Sequence, residues 1–407
     1  MNAPLKALAE MQRLTTPFPE GTAVRAWQAG GGRVVGFVGL GVPEELIHAA
    51  RMLPFRISAD NEPMALPTAE GYMLANTGSV VGTLLQMALD GRYDFLDGVV
   101  VSVTDEDTRR LVDNWRAYAP RPYVDSIFVP RKRTEEACAL YLSDLDDWRS
   151  RLSEMRCAYI VDRDLARAIE VYHRGRELLQ KLHALRKRER PPVTGAESLE
   201  IIKAATRMPR EQFNDLLEAL LRELAVSRRR IWKSKRLMVI GSDLQNSTWI
   251  EAVEALDAVV VTDDLCTGTR YCFGQVDASL PPMEALARYY LLARTPGPRV
   301  WPAGERFAHI LSLAEQYRVE GVISQVQRHD DDCGPDTAFL RKVMDEHGIP
   351  MLEVEVDYGE GPSTEFTTRC EAFLGPLQSK GQAVPKLGAS SGSPEHCAAT
   401  VAAAKPH

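Results

Sequence analysis

Apolar positions along the chain fall into two alternating blocks separated by a long helical stretch. Short runs rich in β-branched residues, 33–38 (RVVGFV), 53–57 (LPFRI), 99–103 (VVVSV) and 123–129 (YVDSIFV), suit strands covered on both faces. Between them lie segments with helical spacing at 44–52, in the second half of 71–89, and at 109–118, where Leu111 and Trp115 share one face. Strands alternating with helices over 33–130 predict a parallel, doubly wound sheet. From 135 to about 233 the strand candidates disappear. Stretches such as AIEVYHRGRELLQKLHALRKRER, stopped by Pro191-Pro192, and REQFNDLLEALLRELAVSRRRIW predict helices. They form a connector that either packs the two halves together or offers an oligomer surface. The alternation then restarts, with strands at 236–240, 258–261, 321–325 and 349–356 and helices at 249–256, 305–317, 337–347 and 365–374. The expected organisation is an N-terminal helical segment (1–32), a first α/β lobe (33–134), a helical connector (135–234), a second α/β lobe (235–376) and a disordered tail (377–407) rich in Gly, Ser, Ala and Pro.

A chain of 407 residues exceeds what one core usually organises, which agrees with two lobes. The net charge of -7 argues against a general nucleic-acid binder. Local basic clusters at 186–190 and 228–236 fall in predicted helical segments and read as solvated faces. Seven cysteines occur without a CxxC pair or a metal-finger spacing, as in a reducing cytoplasm rather than a disulfide framework. The first residues lack an apolar core and no run of 18 apolar residues exists, so neither a signal peptide nor a membrane span is expected. The expected location is cytoplasmic.

Candidate chemistry gathers at strand ends, where open α/β sheets bind their ligands. Three polar turns follow predicted strands: Thr104-Asp105-Glu106-Asp107, Thr262-Asp263-Asp264-Leu265-Cys266 and Arg328-His329-Asp330-Asp331-Asp332-Cys333. Carboxylates with a thiol, here Asp105, Asp330 and Cys333, would suit a borderline metal such as zinc or iron. Acidic residues after strands are equally common as helix caps. The turn 39–45 carries Gly39 and Gly41, which let a ligand approach the backbone, but it is not GxGxxG. Glu44 and Glu45 would also repel a phosphate there, so no dinucleotide site is expected. The polar 58–68 loop is longer than usual and reads as functional. Asn76, Gly78, Arg109, Asp264, Arg270 and Arg328 complete the candidate substrate-binding set. Competing structural roles put Arg109 and Arg110 on an exposed helix face and pair Arg270 with Asp263 or Asp264. They also make Cys266 a small buried residue, His329 solvent-facing and Trp115 a core residue.

The order of several segments resembles the 2-hydroxyacyl-CoA dehydratase and ATP-dependent benzoyl-CoA reductase family, in particular the smaller core subunit of the reductases. The matching stretches are GVPEELIHAARMLPFRI at 41–57, DFLDGVVVSVTDEDTRRLVDNWRAY at 94–118 and DDLCTGTRY at 263–271. They continue with YYLLARTPGPR at 289–299, ERFAHILSLAEQYRVEGVISQVQR at 305–328 and GIPMLEVEVD at 348–357. The resemblance implies two flavodoxin-like α/β lobes with doubly wound parallel sheets, joined by a helical connector. It implies a related partner subunit, an ATP-dependent activator that supplies a single electron, and a CoA thioester whose carbonyl receives it. It further implies an iron-sulfur cluster held by three cysteines in the cleft between the lobes. Register puts those ligands at Gly78, Asp105 and Asp330, and none of the three is a cysteine. Cys333 replaces the third only if its loop shifts. Because such clusters need thiolates, the expectation is a subunit that acts on a CoA thioester without a cluster of its own, its cofactor left open. The alternatives are a non-catalytic structural partner and a repurposed homologue in which Asp105 and Asp330 bind a different metal or a polar substrate.

Overall fold

The computed structural model describes residues 5–58, 68–74, 77–119, 123–300, 302–330, 333–356 and 361–377. The tail after Leu377, nearly all of the 58–68 loop and Asn76 lie outside these residues.

Eight strands form: β1 (Val34–Val38), β2 (Leu53–Arg56), β3 (Gly98–Val103), β4 (Val124–Phe128), β5 (Lys235–Gly241), β6 (Ala258–Asp264), β7 (Gly321–Gln327) and β8 (Met351–Val356). They make two four-stranded sheets of the same order, β2-β1-β3-β4 and β6-β5-β7-β8. Every pairing is parallel. This is the two-lobed, doubly wound α/β architecture expected from the alternation. The continuous apolar runs have a direct cause, because both faces of the central strands are covered. Val100 packs with Val35 and Phe37 on one side, while Val99 and Val101 pack with Val34, Val38, Leu111 and Trp115 on the other. In the second sheet Leu237 and Val239 enter one core, and Met238 and Ile240 enter another.

Three expectations are corrected by tertiary contacts. Strand β6 runs through Thr262, Asp263 and Asp264, which pair with Met238, Val239 and Ile240, although the charges suggested a turn. Buried cations make this possible: Arg306 donates to Asp264 at 3.1 Å and Arg186 lies 3.6 Å from Asp263. Arg186 is therefore not on a solvated face; it is buried and donates to the Val260 carbonyl and Ser198 at 2.9 Å. Residues 228–236 are not helical either, since the preceding helix ends at Val226 and Arg236 belongs to β5.

The connector comprises helices Glu135–Arg156, Asp162–Arg186, Gly195–Ala205 and Arg210–Val226. Thr194 starts the third with a capping box closed by Glu197. These helices pack the lobes together. Tyr141, Leu145 and Trp148 share one core with Val35 and Phe37 of β1. Met283, Leu286, Tyr289 and Leu291, which lie between β6 and β7 in sequence, enter that same core. The helix Lys6–Leu14 joins a second core with Phe213, Leu217 and Leu220 of the connector.

A buried polar network ties these parts to one another. Glu45, fully buried on the helix Glu44–Ala49, pairs with Arg176 of the connector and accepts a hydrogen bond from the Tyr290 hydroxyl at 2.7 Å. The Arg176 guanidinium also lies 4.4 Å from the Tyr289 ring centre. Next to it, Glu44 accepts from Tyr172 at 3.3 Å and Tyr271 at 3.2 Å, and Arg210 donates to Tyr271 at 2.8 Å. The two carboxylates thus face inward, and the repulsion of a ligand phosphate anticipated from them does not arise.

Burial pushes both carboxyls upward. For Glu45 the opposing pull of Arg176, Tyr290 and its own backbone wins, so its net shift is below the ordinary 4.5. For Glu44 burial wins over Arg210, and the shift is upward. A lowered folded value means that Glu45 contributes stability above 4.5 and loses it as pH falls through its own value. We predict that Glu45→Gln, which strands Arg176 without its partner, costs about 3–5 kcal/mol at neutral pH. Denaturant titrations from pH 7 downward should show this deficit shrinking below pH 4.5, because the unfolded wild-type chain then binds a proton at Glu45 and, at still lower pH, the folded chain does too.

Candidate functional site

Strand order dictates where a ligand can enter. In each sheet the chain reverses direction of winding beside its first strand, so a crevice opens beyond the carboxyl ends of β1 and β3 and, in the other lobe, of β5 and β7. The two crevices meet in one cleft of about 540 Å³. It is lined from the first lobe by residues 39–41, Gly78 and 104–108, and from the second by 241–243, Cys266, Arg270 and 327–330. The segment 294–300 closes one wall, held to the first lobe where Arg294 donates to the Leu40 carbonyl at 2.7 Å. Both central strands leave their sheets through a glycine. Gly39 has φ +82 and a Cβ there would lie 2.0 Å from Ser102 Oγ; Gly241 has φ +117 and a Cβ there would lie 1.8 Å from the Gln325 carbonyl oxygen. Only glycine fits either place.

The three positions singled out by register converge on this cleft. Asp105 caps the helix Glu106–Tyr118. Its Oδ1 accepts from the Thr108 amide at 2.7 Å and its Oδ2 from Thr104 Oγ1 at 2.6 Å. Gly78 precedes the helix Ser79–Leu89, and its amide donates to Asp107 at 2.8 Å. A Cβ on Gly78 would touch Asp107 Oδ2 and the His329 carbonyl oxygen at an ordinary 3.5 Å. Asp330, next to His329, accepts from Ser242 Oγ at 2.5 Å and from the Cys333 amide at 2.8 Å, and so caps the helix Cys333–Glu346. That helix starts four residues earlier than its apolar pattern suggested.

An iron-sulfur cluster does not fit these residues. None of the three positions offers a thiol, and the carboxylate oxygens are taken up by backbone amides and hydroxyls. Cys333 is buried, and burial followed by Asp330 pushes its thiol well above the ordinary range, which opposes a thiolate ligand. Asp105, Asp330 and Cys333 are likewise not gathered as a set of ligands. Among the described residues no group of three His, Cys, Asp or Glu side chains is placed to hold a metal ion.

The other candidates divide. Gly39, Gly41, Arg270 and Arg328 line the cleft, Arg328 at its rim with Glu355 at 3.1 Å. Asp264 is fully buried behind the wall, bound by Arg306 at 3.0 Å. Arg109 is exposed and directs its guanidinium to Glu106 and Asp113 along its own helix, away from the cleft. His329 faces solvent in a left-handed conformation, φ 63, and Trp115 is core. Cys266 is half-buried and lines the cleft rather than packing as an inert small residue. Its thiol donates to Asp243 at 2.9 Å and meets Arg56 at 3.3 Å. Burial, then Asp243, pushes it up to about 11. Asp243 and Arg56 are not among the candidates named from the sequence. The signal was the strand end itself, since GSD after β5 occupies the place that the glycine turn occupies after β1.

Two parallel lobes that present their switch points to a shared polar cleft define a two-lobed α/β protein built to hold a ligand between them. The chain belongs to the family of the 2-hydroxyglutaryl-CoA dehydratase, D-component, whose family model matches residues 40–377. It is 26% identical over 359 residues to a benzoyl-CoA reductase subunit of Thauera aromatica, covering 86% of this chain and 93% of that one. It is 23% identical over 344 residues to the (R)-phenyllactyl-CoA dehydratase beta subunit of Clostridium sporogenes, covering 84% and 91%. The same identity extends over 377 residues of the beta subunit of (R)-2-hydroxyglutaryl-CoA dehydratase of Acidaminococcus fermentans, covering 91% and 98%. The resemblance read from the ordered segments is borne out as family membership. No helix of the described residues is long and apolar enough to cross a membrane.

If Asp105 acts as a cap, Asp105→Ala should cost about 1 kcal/mol of stability, and Asp105→Asn should recover most of it. Chemical denaturation of the three proteins measures both.

Proposed function

We propose that this chain is the cluster-free half of a heteromeric system that dehydrates or reduces a CoA thioester. A related partner holds the iron-sulfur cluster, and an ATP-dependent activator feeds that partner. The observation that supports this is the convergence of Gly78, Asp105 and Asp330 at one end of the cleft without a thiol among them. The relatives are named as subunits of such systems, which favours a partner over a chain acting alone. Within the assembly the cleft contributes a preshaped wall: Gly39 and Gly241 bring backbone close to a ligand, and Arg270 and Arg328 supply positive charge. The capping roles of Asp105 and Asp330 favour this over a carboxylate-bound metal.

The test is anaerobic purification followed by iron and acid-labile sulfide analysis. The isolated chain should carry neither, whereas co-expression with a cysteine-complete homologue should yield a complex that carries both. A stoichiometric cluster on the isolated chain would overturn the proposal. The register itself has a gain-of-function check. Gly78→Cys, Asp105→Cys and Asp330→Cys combined in one protein should acquire cluster absorbance on anaerobic reconstitution, since a Cβ at Gly78 meets only ordinary contacts.

A further inference from the structure

One guanidinium in the cleft wall is left without a hydrogen-bond acceptor among the described residues. Arg270 sits in the short helix Thr269–Cys272 that follows β6, with its side chain 7% exposed. Its neighbours Arg56, Arg294 and Arg306 each donate to protein oxygens. The Arg270 side chain donates to none, and its buried Nε is unsatisfied. Asp264 stands 3.6 Å from that Nε, beyond hydrogen-bond distance, because its other oxygen is held by Arg306 at 3.0 Å. Buried guanidinium groups are normally satisfied, having five donors and a high cost of leaving them idle. Nη1 of Arg270 instead lies against Gly297, where a Cβ would be 2.8 Å from it. Both residues line the cleft.

Local charge agrees with a missing anion. Arg56 faces Asp243, Arg306 takes Asp264 and Asp336, and Arg270 has only its share of Asp264. Arg294, whose Nε donates to the carbonyl of Arg270 at 3.0 Å, bonds to carbonyl oxygens, at Leu40, Arg270 and Tyr271. Counted over these four arginines and Asp243, Asp264 and Asp336, one positive charge is in excess, and it is Arg294 that shares the field of Glu44.

We infer that the Nη edge of Arg270, left open by Gly297, is the receptor for an oxyanion that enters the cleft, gripped by two parallel hydrogen bonds. A planar fork of this kind matches a carboxylate or a phosphate oxygen pair. The inference deepens the CoA-thioester proposal and rests on it only for the source of the anion, either a carboxylate on the acyl group or a phosphate of the CoA moiety.

The test is equilibrium binding to the purified chain by calorimetry, with three probes: inorganic phosphate, CoA, and a short dicarboxylate such as succinate. At least one should bind saturably. Arg270→Gln and, independently, Gly297→Ala should each weaken it about tenfold or more. Gly297 does not adopt a left-handed conformation, so its alanine variant should keep the wild-type unfolding midpoint and isolates the ligand effect should Arg270→Gln misfold. Binding of CoA with competition by phosphate assigns the oxyanion to the CoA moiety; binding of the dicarboxylate alone assigns it to the acyl group. No saturable binding of any probe, or affinity unchanged in Gly297→Ala, overturns the inference. Anion binding at Arg270 in a chain whose complexes never act on a CoA thioester would overturn the functional proposal and leave this site standing.

Discussion

The burial of an ionised pair, Glu45 with Arg176, is the constraint on which the arrangement of the lobes depends. An unpartnered charge at that depth would be prohibitive, so the helix that follows β1, the long connector helix and the segment carrying Tyr290 must meet in one geometry. That segment is spliced between β6 and β7 and yet packs into the core of the first lobe. The two sheets cannot drift apart without exposing apolar surface and separating charges at once. The cleft between their strand ends inherits this rigidity.

Within the cleft the carboxylates are structural before they are chemical. Asp105 and Asp330 each hold a helix start, and Asp107 anchors Gly78 across the gap between two turns. Helix starts favour negative charge, so an Asp at such a place is stable without any metal or substrate. A thiol in either position would give up that capping, and a thiolate there would need cluster coordination to stabilise it. At the two turns where the family resemblance would place thiolates, carboxylates that cap helices stand instead.

Cations take over the wall that faces them. Arg56, Arg294 and Arg306 are satisfied by protein groups, and Arg270 is left with unsatisfied donors in that wall. The two cleft thiols, Cys266 and Cys333, are pushed upward by burial and by adjacent carboxylates. The cleft therefore suits recognition of an anion better than thiolate chemistry.

Much of the architecture was legible in the chain. Apolar runs such as VVVSV, covered on both faces, fit strands of a buried parallel sheet, and the glycines after RVVGFV and RLMVI marked the exits from the central strands. Helix boundaries and β6 were less legible, because Asp263, Asp264 and Arg186 look solvated until their partners, distant in sequence, are known. The convergence of Gly78, Asp105 and Asp330 could be placed by register, but their use as amide acceptors or neighbours depended on three separate turns meeting. Arg109 and Arg270 look alike as arginines near acidic residues. One commits its charge to its own helix at i-3 and i+4, a local effect that periodicity encodes, whereas the Nε of the other goes unsatisfied because Arg306, on a different helix, takes Asp264. Local patterning thus determined the strands, the helices and the strand ends where a ligand enters. Which charges are neutralised, and which one is left to receive a ligand, was decided by tertiary contacts, since pairing in a low-dielectric interior depends on distances that only the folded chain sets.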